Sequence, residues 1–225
     1  MKIKPLLSII TVTYNAEKTI DSTINSILSQ KFSDFELIIV DGLSDDDTLE
    51  KLNRYTKKFI QKDIPVKLIS EKDDGIYDAM NKGAEIANGK WLFFLNSGDE
   101  LYNNEVFSRV FQKEKEDKYT IIYGDVQLEY KHYKKVKKQN KVDKNYFILN
   151  TINHQSVFIK KESFIKKGKF NTRRSICADK ELLLKIVLDP NLKRKYMDLI
   201  VSNYKMDGIS IRNQKKNGEG KSSHN

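Results

Sequence analysis

The apolar positions of the first hundred residues fall into alternating short runs and helical stripes. Residues 6–14, LLSIITVTY, are apolar and β-branched and predict a first strand. Asn15 then offers a helix cap, and Ile20, Ile24, Ile27 and Leu28 recur at the i, i+4, i+7, i+8 spacing of one helical face. Residues 35–40 predict a second strand, 48–60 a helix with Leu49, Leu52 and Phe59 on or near one face, and 66–69 a short third strand. Asp47 or Thr48 would cap that second helix. A third helix over 76–87 is closed by Asn88-Gly89, a good C-cap pair, and residues 91–95, WLFFL, form a fourth strand. Strand and helix alternating in this way imply an α/β fold, a mostly parallel sheet with helices on both faces.

Sheets of this kind bind ligands beyond the carboxyl ends of their strands. Each of the four strands runs out into polar or acidic residues there: Tyr14-Asn15, then Asp41, then Glu71 to Asp74, then Asn96, Ser97, Gly98 and Asp99. The abrupt change in WLFFLNSGDE fits either a solvated turn after a core strand or a buried strand that aims a carboxylate at a charged ligand.

The second half is less regular. Residues 105–114 predict a helix burying Val106, Phe107, Val110 and Phe111, and 119–123 and 126–133 predict strands around a Gly124-Asp125 turn. The basic run 131–144 reads as a loop or solvated hairpin, 156–159 as a strand and 178–188 as a helix. Residues 212–225 are polar and read as a flexible tail, which leaves a single domain over 1–211 with no internal repeat. Its first hundred residues hold the regular alternation and 101–211 the less regular part.

Composition changes this picture in three ways. The lone Cys177 excludes an internal disulfide framework. The N-terminal run is short, broken by Ser8, Thr11 and Thr13, and lacks the small-residue cleavage site of a signal peptide, and no stretch approaches the ~20 apolar residues of a membrane span. A soluble, cytoplasmic protein is the expectation. Charge is also split unevenly. Residues 1–100 carry 13 basic and 17 acidic side chains, and 101–225 carry 28 and 14. A basic half can meet nucleic acid, an anionic membrane face or a phosphorylated substrate, or be merely a solvated lysine-rich surface.

Two stretches carry chemistry. In DGLSDDDT, residues 41–48, small residues allow a sharp turn and Asp41 at the strand tip can accept a hydrogen bond from a base N–H. In EKDDGIYDAMNKG, residues 71–83, Gly75 permits a tight turn that leads into a helix with Tyr77, Asp78 and Asn81 near its start. Taken in order with SIITVTYNAEKTI and FLNSGDE, these resemble the motifs of family 2 glycosyltransferases with the GT-A fold, and are most similar to the bacterial enzymes of surface and extracellular polysaccharide biosynthesis. NHQSVFIK, residues 153–160, and CADKELLLKI, residues 177–186, extend the resemblance to nearly 190 residues.

The resemblance implies inverting transfer of a sugar from a nucleoside diphosphate sugar, with UDP as the nucleotide, to a saccharide acceptor, commonly lipid-linked on the cytoplasmic membrane face. The basic half would then draw the enzyme to an anionic membrane surface rather than to nucleic acid. It also implies a divalent cation, Mn2+ or Mg2+, bridging Asp99 and the diphosphate. The resemblance makes residues 1–100 the nucleotide-sugar-binding half and 101–211 the acceptor and catalytic half. Nucleotide and donor binding would fall to Thr13, Tyr14, Asn15, Asp41, Asp73, Gly75, Tyr77, Asn81, Asn96 and Ser97. Asp179 would be the general base, with Glu181 the nearest substitute. His154 and Gln155 would line the acceptor or donor-sugar site. Residues 207–210 would close over the donor, and Lys205 or Arg212 could pair with phosphate. The chain departs from the family pattern at Asn96, Gly98 and Ala178, where many relatives carry acids. Two other classes stay open on the sequence: a sugar nucleotidyltransferase, although TVTYNAEKT lacks the glycine-rich phosphate loop, and a basic nucleic-acid-binding module. A dinucleotide oxidoreductase lacks its G-x-G-x-x-G fingerprint.

Overall fold

The structure, a computed structural model, describes residues 4–111, 118–140, 142, 145–174 and 177–206. One sheet runs through it in the order β3 (Val66–Ser70), β2 (Phe35–Asp41), β1 (Leu7–Thr13), β4 (Trp91–Phe94), β8 (Val157–Lys160), β6 (Ile121–Glu129), β9 (Arg194–Lys205), β5 (Glu100–Leu101), with β7 (Lys134–Lys137) paired to β6. The first four strands are parallel, in the register Leu7↔Phe35 and Leu7↔Trp91, so their carboxyl ends share one edge. Beyond β4 the sheet turns antiparallel at β8, and only β6 and β9 run parallel there.

Side chains alternate across these strands, and both faces are buried. Ile9, Leu37 and Phe93 point to one core, covered by α1 (Ile20–Leu28), α2 (Thr48–Gln61) and α4 (Val106–Phe111). Ile10, Ile38 and Phe94 point to the other, covered by α3 (Ile76–Ile86), α6 (Lys161–Lys166) and α7 (Ala178–Val187), with the short α5 (Tyr146–Leu149) nearby. Tyr55 rather than Leu49 completes the buried face of α2 with Leu52 and Phe59. Among the described residues no helix is long and apolar enough to cross a membrane.

Several local expectations are corrected. Asn15 does not cap α1, whose N-cap is Thr19. It sits at φ 46° and its Oδ1 accepts from the Asp45 N–H at 3.0 Å, tying the β1 and β2 loops together. At the start of α2 the Thr48 N–H is taken by Asp46, while the N-cap Asp47 makes no side-chain capping bond. Asn88-Gly89 does not close α3, which ends at Ile86 with Ala87 extended. Gly89 instead lies against β1, where an added Cβ would come within 2.5 Å of the Ser8 nitrogen. Gly124-Asp125 is not a turn but a bulge within the continuous strand β6, where a Cβ on Gly124 would meet the Leu199 carbonyl at 2.6 Å. Within the basic run, Lys134–Lys137 form β7, the second arm of a hairpin with β6. The 12-residue β9 went unforeseen because its polar ends hide the Leu199–Val201 stretch that packs between β6 and β5.

At the opposite end of the sheet Glu36 is buried, and it accepts from Ser8 Oγ at 2.7 Å, Asn88 Nδ2 at 3.1 Å and the Gly89 N–H at 3.2 Å, with Lys67 at 3.4 Å. Burial pushes its carboxyl up, but these donors outweigh burial and hold it below the ordinary value of 4.5. Its stabilisation is therefore present above pH 4.5 and lost as pH falls through the lower folded value. Glu36→Gln should cost about 1.5–3 kcal/mol at pH 7 by urea unfolding, with the deficit closing in acid. A deficit independent of pH would contradict the charged network.

Candidate functional site

Two groups of residues stand at the carboxyl edge. The first forms where β1, β2 and β3 end in register, Thr13↔Asp41↔Ser70. Asp41 is fully buried, and its Oδ2 accepts from the Ser44 N–H at 2.9 Å and Ser70 Oγ at 2.8 Å, while Oδ1 accepts from Ser44 Oγ. A carboxylate has about four acceptor positions, so one remains for a ligand N–H. A Cβ on Gly42 would touch Asp73 Oδ2 at 2.7 Å and Tyr14 Cδ2 at 3.5 Å, which places Tyr14, Gly42 and Asp73 side by side. Tyr14 is 57% exposed, an open ring at the mouth of the cleft. Asp73 Oδ1 accepts the Gly75 N–H at 2.9 Å and shapes the turn into α3. Asn15 is in this group but is turned to Asp45. Asn81 is not in it. Its Nδ2 donates to the Phe170 carbonyl at 2.9 Å and its Oδ1 accepts the Phe170 N–H at 3.0 Å, a structural tie that engages both ends of the amide.

The second group begins where β4 ends. The Asp99 N–H closes a turn on the Asn96 carbonyl at 3.0 Å, the Ser97 N–H donates to Val12 O, and the Gly98 N–H to Thr23 Oγ1. Gly98 is at φ 98°, and a Cβ there would find its nearest neighbour, Thr19 Cβ, only at 4.0 Å. Asp99 is buried and accepts from Gln155 Nε2 at 3.0 Å. Burial pushes its carboxyl up to about 7, against the Gln155 hydrogen bond and the charges of His154 and Lys205.

A continuous chain of contacts then crosses to α7. Asn96 Nδ2 lies 3.2 Å from His154 Nε2, His154 Nδ1 lies 3.0 Å from Asp179 Oδ2, and Tyr77 OH donates to Asp179 Oδ1 at 3.0 Å. His154 thus faces Asn96 through Nε2 and Asp179 through Nδ1. Burial pushes the Asp179 carboxyl up, but His154 and Tyr77 outweigh it and hold the group below its ordinary range. The Tyr77 phenol is raised by its own burial and by the Asp179 charge. Glu181 turns away, to Lys185 at 2.8 Å and Arg174 at 3.6 Å.

His154 and Gln155 occupy one short 3-10 turn, His154–Ser156, and the second half of the chain fixes it. Gln139 is fully buried, accepts the Asn153 N–H at 2.9 Å and donates to Ser156 Oγ at 2.7 Å, while Lys137 Nζ donates to Asn153 Oδ1 at 2.9 Å. Tyr204 on β9 is pushed up to about 12 by burial and by the charges of Asp99 and Asp179. Sequence reasoning missed Lys137, Gln139 and Tyr204, which lie on or beside β7 and β9 in the least regular stretch. Lys205 pairs with Glu100 at 2.8 Å, and residues 207–210 and Arg212 lie outside the described residues.

Among the described residues no three His, Cys, Asp or Glu side chains gather for a metal. The oxygens that remain still fit a hard cation. The buried carboxylate of Asp99 is accompanied by Asn96 Oδ1, which is buried with no partner.

The fold is that of a GT-A protein, and comparison with known sequences places it further. Residues 8–178 match the glycosyl transferase family 2 profile. The chain is 33% identical over 202 residues to the PGL/p-HBAD biosynthesis glycosyltransferase of Mycobacterium bovis, covering 89% of this chain and 77% of that one. Over 97 residues it is 41% identical to a Bacillus subtilis glycosyltransferase assigned to teichuronic acid biosynthesis, TuaG, covering 43% and 37%. Among solved structures it is similar to S. aureus TarS 1-349 in complex with UDP, at TM-score 0.74 and 19% identity over 90% of this chain and 60% of that one. It also spans 37% of the longer solved TarS chain. The chain belongs to glycosyl transferase family 2.

Proposed function

We propose that the chain moves a sugar, with inversion at the anomeric carbon, from a UDP-sugar to a lipid-linked saccharide acceptor in cell-surface polysaccharide synthesis, working at the cytoplasmic membrane face. The observation that supports this best is one turn. Gln155 bonds Asp99 and the adjacent His154 bonds Asp179, so one turn holds both a carboxylate suited to a cation and one suited to a proton. Solved TarS complexes hold UDP and UDP-GlcNAc, and a mannosyltransferase from Pyrobaculum calidifontis holds GDP-Man and Mn2+.

In this reading Tyr14 packs on the uracil, Asp41 accepts its N–H, and Thr13, Asp73 and the Asn96–Ser97 turn flank the ribose and diphosphate. Asp99 and Asn96 would hold Mn2+ or Mg2+, which when bound offsets the charge that develops on the departing diphosphate. Tyr77 and His154 fix both oxygens of Asp179. As the acceptor oxygen attacks the anomeric carbon, its proton passes to Asp179 and the bond from that carbon to the diphosphate oxygen breaks, releasing UDP.

UDP with Mn2+ should raise the melting temperature, as a ligand of the folded state must. Asp41→Ala should weaken UDP binding about tenfold by calorimetry, the worth of one hydrogen bond to a charged group. No stabilisation by any nucleotide would overturn the proposal, and an unchanged affinity in the variant would remove Asp41 from it.

A further inference from the structure

We propose that the tip of the β6–β7 hairpin docks on an anionic bilayer surface. The inference rests on the lipid-linked acceptor proposed above and assigns its membrane contact to one element. The two strands pair from Val126↔Lys137 to Glu129↔Lys134, and the chain reverses through 130–133 with the Tyr130 N–H on the Tyr133 carbonyl at 2.9 Å. The rings of Tyr130 and Tyr133 stack there at 4.5 Å and 13°. Tyr133 is 58% exposed and Val136 37% exposed, and Lys131, His132, Lys134 and Lys135 surround them in solvent. No acidic residue occurs from 130 to 140. Lys134 pairs with Glu129 and Lys138 with Asp125 and Asp198, but Lys131 and Lys135 face no carboxylate among the described residues.

Rings with polar tips set among lysines match the chemistry of a bilayer's headgroup layer, where the ring meets the acyl boundary and the charge meets anionic lipid. A platform for nucleic-acid bases keeps its ring faces open, whereas these two rings close on each other. The root of the hairpin also touches the cleft. Lys137 bonds Asn153, the residue before His154, and the tip lies four to six residues away, roughly 13–20 Å along a strand. A docked tip would hold the root of the hairpin, beside the His154 turn, roughly 13–20 Å above the lipid surface, the height of a saccharide carried on a lipid diphosphate.

The test is sedimentation with phosphatidylcholine vesicles and with vesicles containing 30% phosphatidylglycerol, at low and high salt. Wild type should bind only the anionic vesicles and be released by salt. Each lysine near such a surface is worth about fivefold in affinity, so Lys131→Glu with Lys135→Glu should lose at least about 25-fold. Tyr133→Ser should weaken binding further, while UDP–Mn2+ binding stays unchanged in all of these variants. The same charge change at Lys57 and Lys166, exposed elsewhere, should have a much smaller effect. Equal loss in that control, equal binding to neutral vesicles, or tighter binding to single-stranded RNA would overturn the hairpin's role. So would a wild type that binds UDP but no vesicle, which would leave the nucleotide-sugar reading standing. Loss of UDP binding in the wild type would instead sink that reading.

Discussion

Asp179→Asn is expected to lower turnover by about 10²–10⁴-fold, the usual worth of a general base, with UDP affinity within about twofold of wild type. The variant is nearly isosteric. Its amide oxygen can still accept from His154 Nδ1 and its amide nitrogen can face the Tyr77 oxygen, which accepts once its own proton turns away, so the contacts at 3.0 Å on either side survive. What is lost is the capacity to take a proton. Because His154 and Tyr77 hold the carboxyl below its ordinary range, the wild-type group is ionised throughout neutral pH. Any acid limb it contributes to kcat/KM lies below that range. Parallel loss of UDP binding would mean that Asp179 builds the cleft rather than acts in it. Wild-type turnover in the variant would assign the proton to another group.

Asp99→Asn is expected to reduce metal-dependent turnover by about 10²–10³-fold at saturating Mn2+, since a cation at a departing diphosphate supplies several kcal/mol. The amide oxygen can still accept from Gln155, so the turn carrying His154 should keep its place and the melting temperature of the free protein should hold or rise. A rise is reasonable because burial, the largest influence, pushes the Asp99 carboxyl up to about 7, a sign that its charge is costly when no cation is bound. Chelation of wild type should reproduce the loss, and added Mn2+ should restore wild type but not the variant. Full activity of Asp99→Asn, or of chelated wild type, would remove the cation from the reaction.

The roles of Asp99 and Asp179 were inferred from motif order, and the hydrogen-bonded path between them supports that inference without testing it. Asn81 shows the limit of a motif. It sits in the same stretch as Tyr77, one turn further along α3, yet both ends of its amide close on Phe170, 89 residues away. Nothing local announces such a partner. Asn15 likewise looked like a cap and became a strut between loops, because Asp45 comes close only once β1 and β2 lie side by side.

The sequence by itself determined the parallel half. Apolar β-branched runs and helical stripes can be satisfied only by a sheet buried on both faces, and short-range periodicity records that requirement residue by residue. The acidic strand ends follow from the same pattern, since parallel strands deliver their carboxyl ends to one edge. Tertiary structure alone decided how the second half completes the cleft. β9, which carries Tyr204, is half polar and owes its burial to β6, 73 to 76 residues earlier in the chain. Lys137 and Gln139 fix the His154 turn through Asn153, 16 and 14 residues away, contacts that no local pattern announces.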